Sequence, residues 1–339
     1  MNYQFKFFPY QRKFKIPLET RYGPWSVREG IILKLIKNEQ QIGWGEIAPL
    51  PWFGSETLEQ ALNFCQSIGS RLNQELIDEI PDRLPACQFG FESALKNVSS
   101  EKPIFPIELP PDKYSYLLPT GKKALDYFSK INKDEQKKVS DREIMTYKWK
   151  IGVENFTKEI AIFEQLVGRL PQNAQLRLDA NGGLNLEDAQ LWLSFTDQIR
   201  QIEFIEQPLP PNQFSELLTL SQNFKTAIAL DESVSSLKQL KECYELGWRG
   251  IYVIKAAIIG SPKQLKYWCQ NNAIDAVFSS VFETSIGQQA VLALAQELNN
   301  CDQKVAQGDR KKVFRDRALG FGVNQWFEDA DPIFLAPIP

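Results

Sequence analysis

Five charged residues end short apolar segments in the second half of the chain. They are Lys150 in MTYKWKIG, Asp179 in LRLDANGG, Glu206 in IEFIEQPLP, Asp231 in IALDES and Lys255 in IYVIKAAIIG, separated by 29, 27, 25 and 24 residues. A strand, a returning helix and two short loops need about that length, so this period predicts a parallel α/β barrel. The five side chains would meet at its carboxyl end, where three carboxylates between two lysines could hold a metal with a base on either side.

Histidine is absent from all 339 residues. This excludes histidine-dependent catalytic triads and most zinc sites. Acid–base chemistry must then fall to Lys, Asp, Glu, Tyr or Cys. A metal site must rest on oxygen ligands, which select hard ions such as Mg²⁺, Mn²⁺ or Ca²⁺.

The overall composition is that of a globular protein, with 43% apolar and 24% charged residues and a net charge of −3. The lack of a basic block argues against nucleic acid as a partner, and no apolar run is long enough to predict a membrane span. The first residues lack the apolar core of a secretory signal. Five scattered cysteines predict buried thiols and a cytoplasmic location, and they are Cys65, Cys87, Cys243, Cys269 and Cys301.

Two regions must position the charged residues. Residues 1–110 predict an α+β capping domain, with antiparallel strands around a turn at 38–40, a helix with Ser55 as N-cap, and a second helix in LPACQFGFESALKNV. A proline-rich segment, KPIFPIELPPDK, marks the boundary. Residues 111–321 predict the barrel, from YSYLLPTG to an eighth strand in ALGFGV, and 322–339 are expected to pack back onto the capping domain.

The Lys-x-Lys pair has two interpretations. Alternation along a strand puts Lys148 and Lys150 on one face and bulky Tyr147, Trp149 and Ile151 on the other. A solvated edge strand would explain the pair by itself. Beside the other charged residues, it instead predicts two ammonium groups at the barrel mouth that lower each other's pKa, so that one becomes a usable base.

The acidic residues also have alternative explanations. Asp179 shares a strand face with Arg177 and Asn181, but an Asp before two glycines is also typical of a turn. Asp231 could cap the helix that follows. Glu206 closes a nearly continuous apolar run, where unpaired burial of a charge is costly, so a cation or metal is expected beside it.

The order Lys-x-Lys, Asp, Glu, Asp, Lys behind an α+β domain resembles the enolase superfamily, in its muconate-lactonizing subgroup. The segments GWGEIAPLPWFGSETLEQA, RLDANGG, IEQPL, LDES and VFSSVFETSIGQQA resemble more narrowly the o-succinylbenzoate synthases of menaquinone and phylloquinone biosynthesis. One departure is Ala318, where related sequences often have histidine. The resemblance implies an enolase-like, modified TIM barrel with a capping domain.

The resemblance also implies a chemistry, the Mg²⁺-dependent dehydration of 2-succinyl-6-hydroxy-2,4-cyclohexadiene-1-carboxylate to 2-succinylbenzoate. Lys150 would remove the α-proton with Lys148 in support, and Lys255 would place a positive charge near the ring. Asp179, Glu206 and Asp231 would bind Mg²⁺, which Mn²⁺ could replace. The residues expected to contact this small carboxylate substrate are Arg28, Trp52, Arg177, Asn181, Ser279, Ser280, Ser285 and Gly287.

Other functions stay open at this point. Helix capping by Thr284 or Ser285 would equally explain the serines that follow the seventh strand. N-acylamino acid racemases and dipeptide epimerases share the two-lysine site, although the segments of the capping domain favour the synthase. A non-catalytic barrel predicts loss of a ligand or base, and none is lost. The oligomeric state is not indicated.

Overall fold

The computed structural model describes residues 2–20, 23–100, 107–126, 144–299 and 317–329. Within these ranges the chain forms an antiparallel sheet with helices, followed by a barrel of parallel strands.

The capping domain begins with four antiparallel strands in the spatial order β3-β2-β1-β4. The turn at 38–40 is present as predicted, because Asn38 and Glu39 adopt positive φ angles of 51° and 61°. Such left-handed conformations let the chain reverse tightly between two strands. The strands are β1 Asn2–Thr20, β2 Gly23–Lys37, β3 Gln41–Ile47 and β4 Arg71–Asn73.

Three α-helices complete the described part of this domain: α1 Leu58–Ile68, α2 Gln74–Asp78 and α3 Pro85–Ser99. The prediction that Ser55 caps the first helix is wrong. Thr57 is the N-cap and forms a capping box with Gln60. The Ser55 hydroxyl instead accepts the Leu50 N–H at 2.6 Å and closes the preceding turn. A side chain that satisfies one backbone donor in a turn is not available for a helix two residues later.

Helix α3 packs directly on strand β3 because the contact is made by glycines. A Cβ on Gly45 would overlap the Gly90 carbonyl, and one on Gly90 would lie 2.8 Å from the Glu46 carbonyl. The close approach buries Phe89, Phe91 and Ala94 completely. It also holds Glu46 near the end of β3, next to the barrel.

Eight parallel strands form the barrel, in the order β11-β10-β9-β8-β7-β6-β5-β12. A parallel bridge between Ser279 and Gly320 joins the two outer strands. This confirms the predicted (β/α)₈-type fold class, including the eighth strand in ALGFGV. The strands are β5 Tyr114–Leu117, β6 Thr146–Lys150, β7 Gln175–Asp179, β8 Ile202–Glu206, β9 Ile228–Leu230, β10 Ile251–Ile254, β11 Asp275–Phe278 and β12 Leu319–Gly322.

Helices return the chain between the barrel strands. Side chains of Asn155, Asn185, Ser236 and Ser261 cap four of them by accepting a backbone N–H of the first turn. The segment expected to follow β5 as helix and loop lies largely at 127–143, outside the described residues. The helices are α4 Phe156–Val167, α5 Leu186–Thr196, α6 Phe214–Asn223, α7 Leu237–Glu245, α8 Pro262–Asn271 and α9 Ser285–Asn299.

The barrel interior carries an apolar layer below the charged residues. Phe204, Ala229 and Val253 belong to a small buried cluster. Each stands two residues before Glu206, Asp231 or Lys255, and residues two apart on a strand point to the same side. The charged side chains therefore stand one layer above an apolar floor, where water is scarce.

The end of the described chain returns to β1. Phe327 forms an antiparallel bridge with Phe14, and the Arg12 guanidinium lies 3.7 Å from the centre of the Phe327 ring. The Glu328 N–H donates to the Lys13 carbonyl at 3.0 Å. Residues 330–339 lie outside the described part, and the domain limits at 110 and 321 remain predictions.

Four cysteines have buried, free thiols as predicted: Cys65, Cys87, Cys243 and Cys269. Cys301 lies outside the described residues. Among the described helices, none combines the length and apolar character needed to cross a lipid bilayer.

Candidate active site

Strand pairing brings the five charged residues to one end of the barrel. Lys150 is paired with Asp179, and Asp179 with Glu206, across three adjacent strands. Asp231 and Lys255 each follow directly after the last residue of β9 and β10. Because parallel strands run in one direction, all five side chains start from the carboxyl end.

Lys148 lies between two of the carboxylates. Its Nζ is 2.8 Å from Asp179 Oδ2 and 2.7 Å from Glu206 Oε1. Burial acts to lower the pKa of Lys148, but the charges of Asp179, Glu206 and Asp231 outweigh burial and raise the pKa above its ordinary value. The expectation that two close amines lower each other's pKa is therefore wrong for Lys148, because its nearest neighbours are carboxylates.

Lys150 stands one step further towards the mouth on the same strand face. The alternate residues Tyr147, Trp149 and Ile151 are at most 1% exposed and form the apolar side of the strand. The ladder continues beyond the strand, since the Ile151 N–H donates to the Asp179 carbonyl at 2.9 Å. Lys150 is thus held beside Asp179 by backbone geometry.

Lys255 occupies the opposite side of the carboxylates. Its ammonium forms an ion pair with Asp231 Oδ1. It also lies 3.9 Å from the centre of the Phe53 ring, which belongs to the capping domain. The two lysines Lys150 and Lys255 are therefore separated by the three acidic strand ends.

The crowding of negative charge shows in the pKa values. Burial and the charge of Asp179 raise the pKa of Glu206 to about 8. Burial, opposed by Lys255 and assisted by Glu232, raises the pKa of Asp231 to about 6. Burial also acts to raise the pKa of Asp179, but the Lys148 ammonium lowers it below its ordinary value. For Glu206 and Asp231, the positive charge nearby does not offset burial and the neighbouring carboxylates.

Asn181 connects the site to a further carboxylate. Its backbone N–H donates to Asp179 Oδ1 at 3.0 Å, and its side-chain amide donates to Glu232 Oε1 at 3.1 Å. Within the described residues Glu232 Oε2 has no hydrogen-bond partner. Sequence reasoning missed Glu232, although it directly follows Asp231 in LDES. Asn181 thus donates hydrogen bonds to two acidic residues of the site. Its expected contact with substrate stays a prediction.

Gln207 joins two of the acidic strand ends. Its side-chain carbonyl accepts the N–H groups of Asp231 and Ser233, at 3.0 and 3.1 Å. Its amide donates to the Leu209 carbonyl and to the Ser233 hydroxyl, each at 2.8 Å. The residue is fully buried and adopts a φ of 38°. Gln207 therefore orients the backbone after Glu206 and Asp231, a role that IEQPL alone did not reveal.

Arg177 lies deeper in the barrel than the acidic residues. Its Nε donates to Glu203 at 2.6 Å, and its Nη2 donates to the Ala318 carbonyl at 2.7 Å. Glu203 also pairs with Arg317, which in turn holds Asp275. The guanidinium thus ties the barrel strands together, and we do not assign it to substrate binding.

The segment after β11 uses most of its donors internally. Ser280 Oγ donates to Glu283 at 2.8 Å, and the backbone N–H of Ser279 donates to the Ile254 carbonyl at 3.0 Å. The Gly287 N–H donates to Glu46 of the capping domain at 2.9 Å. The expected donation from Gly287 to a substrate carboxylate is therefore replaced by a contact within the protein. The roles predicted for Ser279, Ser280 and Ser285 stay predictions.

Two residues of the capping domain were expected to contact substrate. Arg28 is only 2% exposed, and its Nη1 donates to the carbonyls of Glu29 and Pro49, both at 2.8 Å. Its Nε and Nη2 have no hydrogen-bond partner among the described residues. Trp52 is half-buried and packs edge-on against Trp25 at 5.0 Å. Arg28 thus supports the start of the segment that carries Trp52 over the barrel.

The donor set fits a hard divalent cation. Asp179, Glu206 and Asp231 offer buried carboxylate oxygens on consecutive strands, and burial together with neighbouring carboxylates raises the pKa of Glu206 and of Asp231. Among the described residues no three acidic side chains already converge as a metal cage. The ammonium groups of Lys148 and Lys255 stand against the carboxylates instead, so these side chains would have to shift for a cation to bind.

Two family models match the chain. Residues 3–98 match the model described as MenC, N-terminal domain. Residues 132–318 match the model described as enolase C-terminal domain-like.

Curated relatives match along most of the chain. An o-succinylbenzoate synthase of Thermosynechococcus vestitus is 37% identical over 94% of this chain and 91% of the relative. The o-succinylbenzoate synthase of Yersinia enterocolitica is 31% identical over 84% of this chain and 85% of the relative.

Two solved structures are similar to this chain over most of its length. The o-succinylbenzoate synthase of Thermosynechococcus elongatus, complexed with Mg in the active site, has a TM-score of 0.80 at 36% identity, covering 95% of this chain and 94% of that one. The L-Ala-D/L-Glu epimerase of Bacillus subtilis has a TM-score of 0.74 at 17% identity, covering 97% and 91%. At that identity the epimerase shows the fold alone.

Proposed function

Because this chain belongs to the o-succinylbenzoate synthase family of the enolase superfamily, we propose that it is a lyase that dehydrates 2-succinyl-6-hydroxy-2,4-cyclohexadiene-1-carboxylate to 2-succinylbenzoate. The pair of lysines on either side of three carboxylates supplies the chemistry. The observation that favours the dehydration over the racemases and epimerases with the same two-lysine site is the 37% identity to an o-succinylbenzoate synthase over 94% of this chain. Lys150 is paired in the ladder with Asp179, and Lys255 contacts Asp231. A substrate carboxylate bound over the acidic residues would have one lysine on each face.

Lys150 is proposed as the base. As the neutral amine, its Nζ would take the proton from the carbon that bears the substrate carboxylate. The carbon–oxygen bond to the ring hydroxyl then breaks, and the ammonium on the same side can return that proton to the departing oxygen as water leaves. Lys148 is held by Asp179 and Glu206, so it contributes positive charge below the site.

Lys255 contributes charge from the other face. Its ammonium would lie over the ring that becomes aromatic, an arrangement in which a cation and a π system attract each other. The acidic strand ends Asp179, Glu206 and Asp231 would hold Mg²⁺, or Mn²⁺ in its place. When bound, the metal ion supplies positive charge to the oxygens of the substrate carboxylate while the proton is removed.

One assay tests the function directly. The purified protein, Mg²⁺ and the cyclohexadiene substrate should produce the ultraviolet absorbance of an aromatic product. A parallel racemisation assay on N-succinyl amino acids and dipeptides tests the isomerase alternative. Aromatic product from the parent and none from Lys150→Ala supports the proposal. Racemisation without aromatic product would replace it.

The wider setting is part of the same proposal. The product would enter menaquinone or phylloquinone biosynthesis, and the reaction would take place in the cytoplasm. Quantifying both quinones in a strain that lacks the gene, with and without the gene restored, tests the pathway. Cell fractionation tests the location.

A further inference from the structure

Phe53, in the capping domain, contacts a lysine of the proposed active site. Its ring centre lies 3.9 Å from Lys255 Nζ. Within the described part of the chain, the same ammonium also forms an ion pair with Asp231. The Lys255 side chain is 13% exposed, so water contributes little to its solvation. An aromatic face at this distance attracts a cation, and the attraction is larger in a site with little water.

The segment that carries Phe53 is held in a fixed position. The Phe53 N–H donates to the Leu50 carbonyl at 2.8 Å, and the Leu50 N–H donates to the Ser55 hydroxyl at 2.6 Å. Gly54 has a φ of 103°, and a Cβ there would lie 3.1 Å from Ser235 Oγ in the segment after β9. This glycine lets the chain turn while it touches the barrel.

Arg28 holds the start of this segment, because its Nη1 donates to the Pro49 carbonyl at 2.8 Å. A rigid backbone between Pro49 and Ser55 leaves the Phe53 ring few alternative positions. The ring therefore presents a prepared π face to Lys255 rather than a surface that adapts to it.

We propose that Phe53 is a positioning residue for Lys255: its ring holds the ammonium on the side of the mouth that faces the capping domain. Without the ring, the ammonium would rest on Asp231 alone. Asp231 already pairs with this ammonium and is also one of the carboxylates proposed to hold the metal ion. Lys255 must therefore leave Asp231 when the ion binds, and the ring then holds the ammonium in place. The expected effect on kcat rests on the proposed function. The contact between the ring and the ammonium is observed independently of that function.

Fluorinated phenylalanines at position 53 provide the test. Replacing ring hydrogens with one, two or three fluorines weakens the negative face of the ring and changes its shape little. In the full-length protein with Mg²⁺, kcat should fall stepwise, by about 10-fold for the trifluoro ring, as expected for a desolvated cation–π contact. KM should stay within about 2-fold. Phe53→Trp should keep kcat near the parent value, and Phe53→Leu should lose as much as the trifluoro ring.

Phe64 supplies the matched control, since it belongs to the same domain and packs edge-on against Phe91 at 5.7 Å. The same fluorinated series at position 64 should leave kcat unchanged. A kcat that is constant across the series at position 53, or that falls equally at position 64, would overturn the proposal.

A stability cycle makes the contact testable without turnover. Fluorination at position 53 should lower the melting temperature stepwise in the parent and have no such stepwise effect in Lys255→Met. The same effect in both backgrounds would show that the ring does not act through the ammonium. If the parent itself lacks the proposed dehydration, the kinetic series reads zero throughout, whereas the stability cycle still reports on the contact.

Discussion

Two lysines on one strand face have different surroundings although they are two residues apart. Lys148 lies within 2.8 Å of both Asp179 and Glu206, which raise its pKa and keep it charged. Lys150 is one step nearer the mouth and beside the end of β7. The deeper lysine is therefore suited to supply charge, and the outer one is suited to meet substrate.

The residue-scale prediction separates Lys150 from Lys255. Lys150→Ala should lose about 10²–10⁴-fold in kcat, the usual contribution of general-base catalysis, since the chain has no histidine to substitute. Lys255→Arg should retain part of the activity, because it keeps the charge and alters the geometry. Steady-state kinetics by product absorbance measures both.

Proton exchange gives an independent reading of the same prediction. Solvent deuterium should exchange at the α-carbon of an unreactive substrate analogue in Lys255→Arg and not in Lys150→Ala, as followed by proton NMR. Exchange that depends on Lys255, or equally on both lysines, would reassign the base and favour a two-base racemase.

At the scale of elements, the junction between β3 and α9 joins the capping domain to the barrel. Glu46, at the end of β3, accepts the N–H groups of Thr284 and Gly287 at the start of α9, at 3.0 and 2.9 Å. Negative charge is favoured at a helix N-terminus. Glu283 lies beside this junction, and burial raises its pKa to about 7.

The element-scale prediction concerns Glu283 and pH. The folded protein keeps a proton on Glu283 up to about pH 7, whereas an ordinary Glu loses it near 4.5. The folded state thus binds more protons in this window, so stability falls as pH rises from about 4.5 to 7 and stays lower above it. Glu283→Gln removes that dependence. The free energy of unfolding of Glu283→Gln minus that of the parent should be on the order of 2–3 kcal/mol larger at pH 8 than at pH 5.

Urea unfolding at the two pH values measures the difference. The control is Glu245→Gln at the exposed end of α7, which should follow the parent at both pH values. A Glu283→Gln variant whose stability runs parallel to the parent across the range would contradict the assigned pKa.

At the scale of the whole molecule, metal binding should stabilise the assembled barrel. Three strands contribute one carboxylate each, so an ion that binds all three can stabilise only the folded chain. Exhaustive EDTA treatment should abolish activity, and Mg²⁺ or Mn²⁺ should restore it. At 100 times the dissociation constant, Mg²⁺ should add about 2.7 kcal/mol of stability.

Calorimetry with and without Mg²⁺ checks the metal prediction. Glu206→Gln should fold without showing the Mg²⁺-dependent rise in melting temperature, because the change alters the charge of the site and leaves the apolar layer intact. Glu242→Gln, on the exposed surface of α7, should keep the rise. Full activity of the parent in excess chelator would contradict the metal assignment.

The regular spacing of the charged strand ends could be predicted from the sequence because it depends only on the number of residues in one strand–helix unit. A βα unit has a narrow range of lengths, so residues 24 to 29 apart mark successive strands. Alternation along β6 likewise assigned Lys148 and Lys150 to one face, and the absence of histidine restricted the chemistry. The fold class and the three acidic strand ends followed from these local rules.

Contacts between residues distant in sequence were decided only by the tertiary structure. Arg177 shares a strand face with Asp179, yet its partner is Glu203 and it lies in a deeper layer. Gly287 looked free to bind a substrate, but the folded chain brings Glu46 to it across 241 positions. Phe53 meets Lys255 in the same way. Spacing along the chain determines which face a side chain occupies, whereas its partners depend on how the capping domain packs against the barrel.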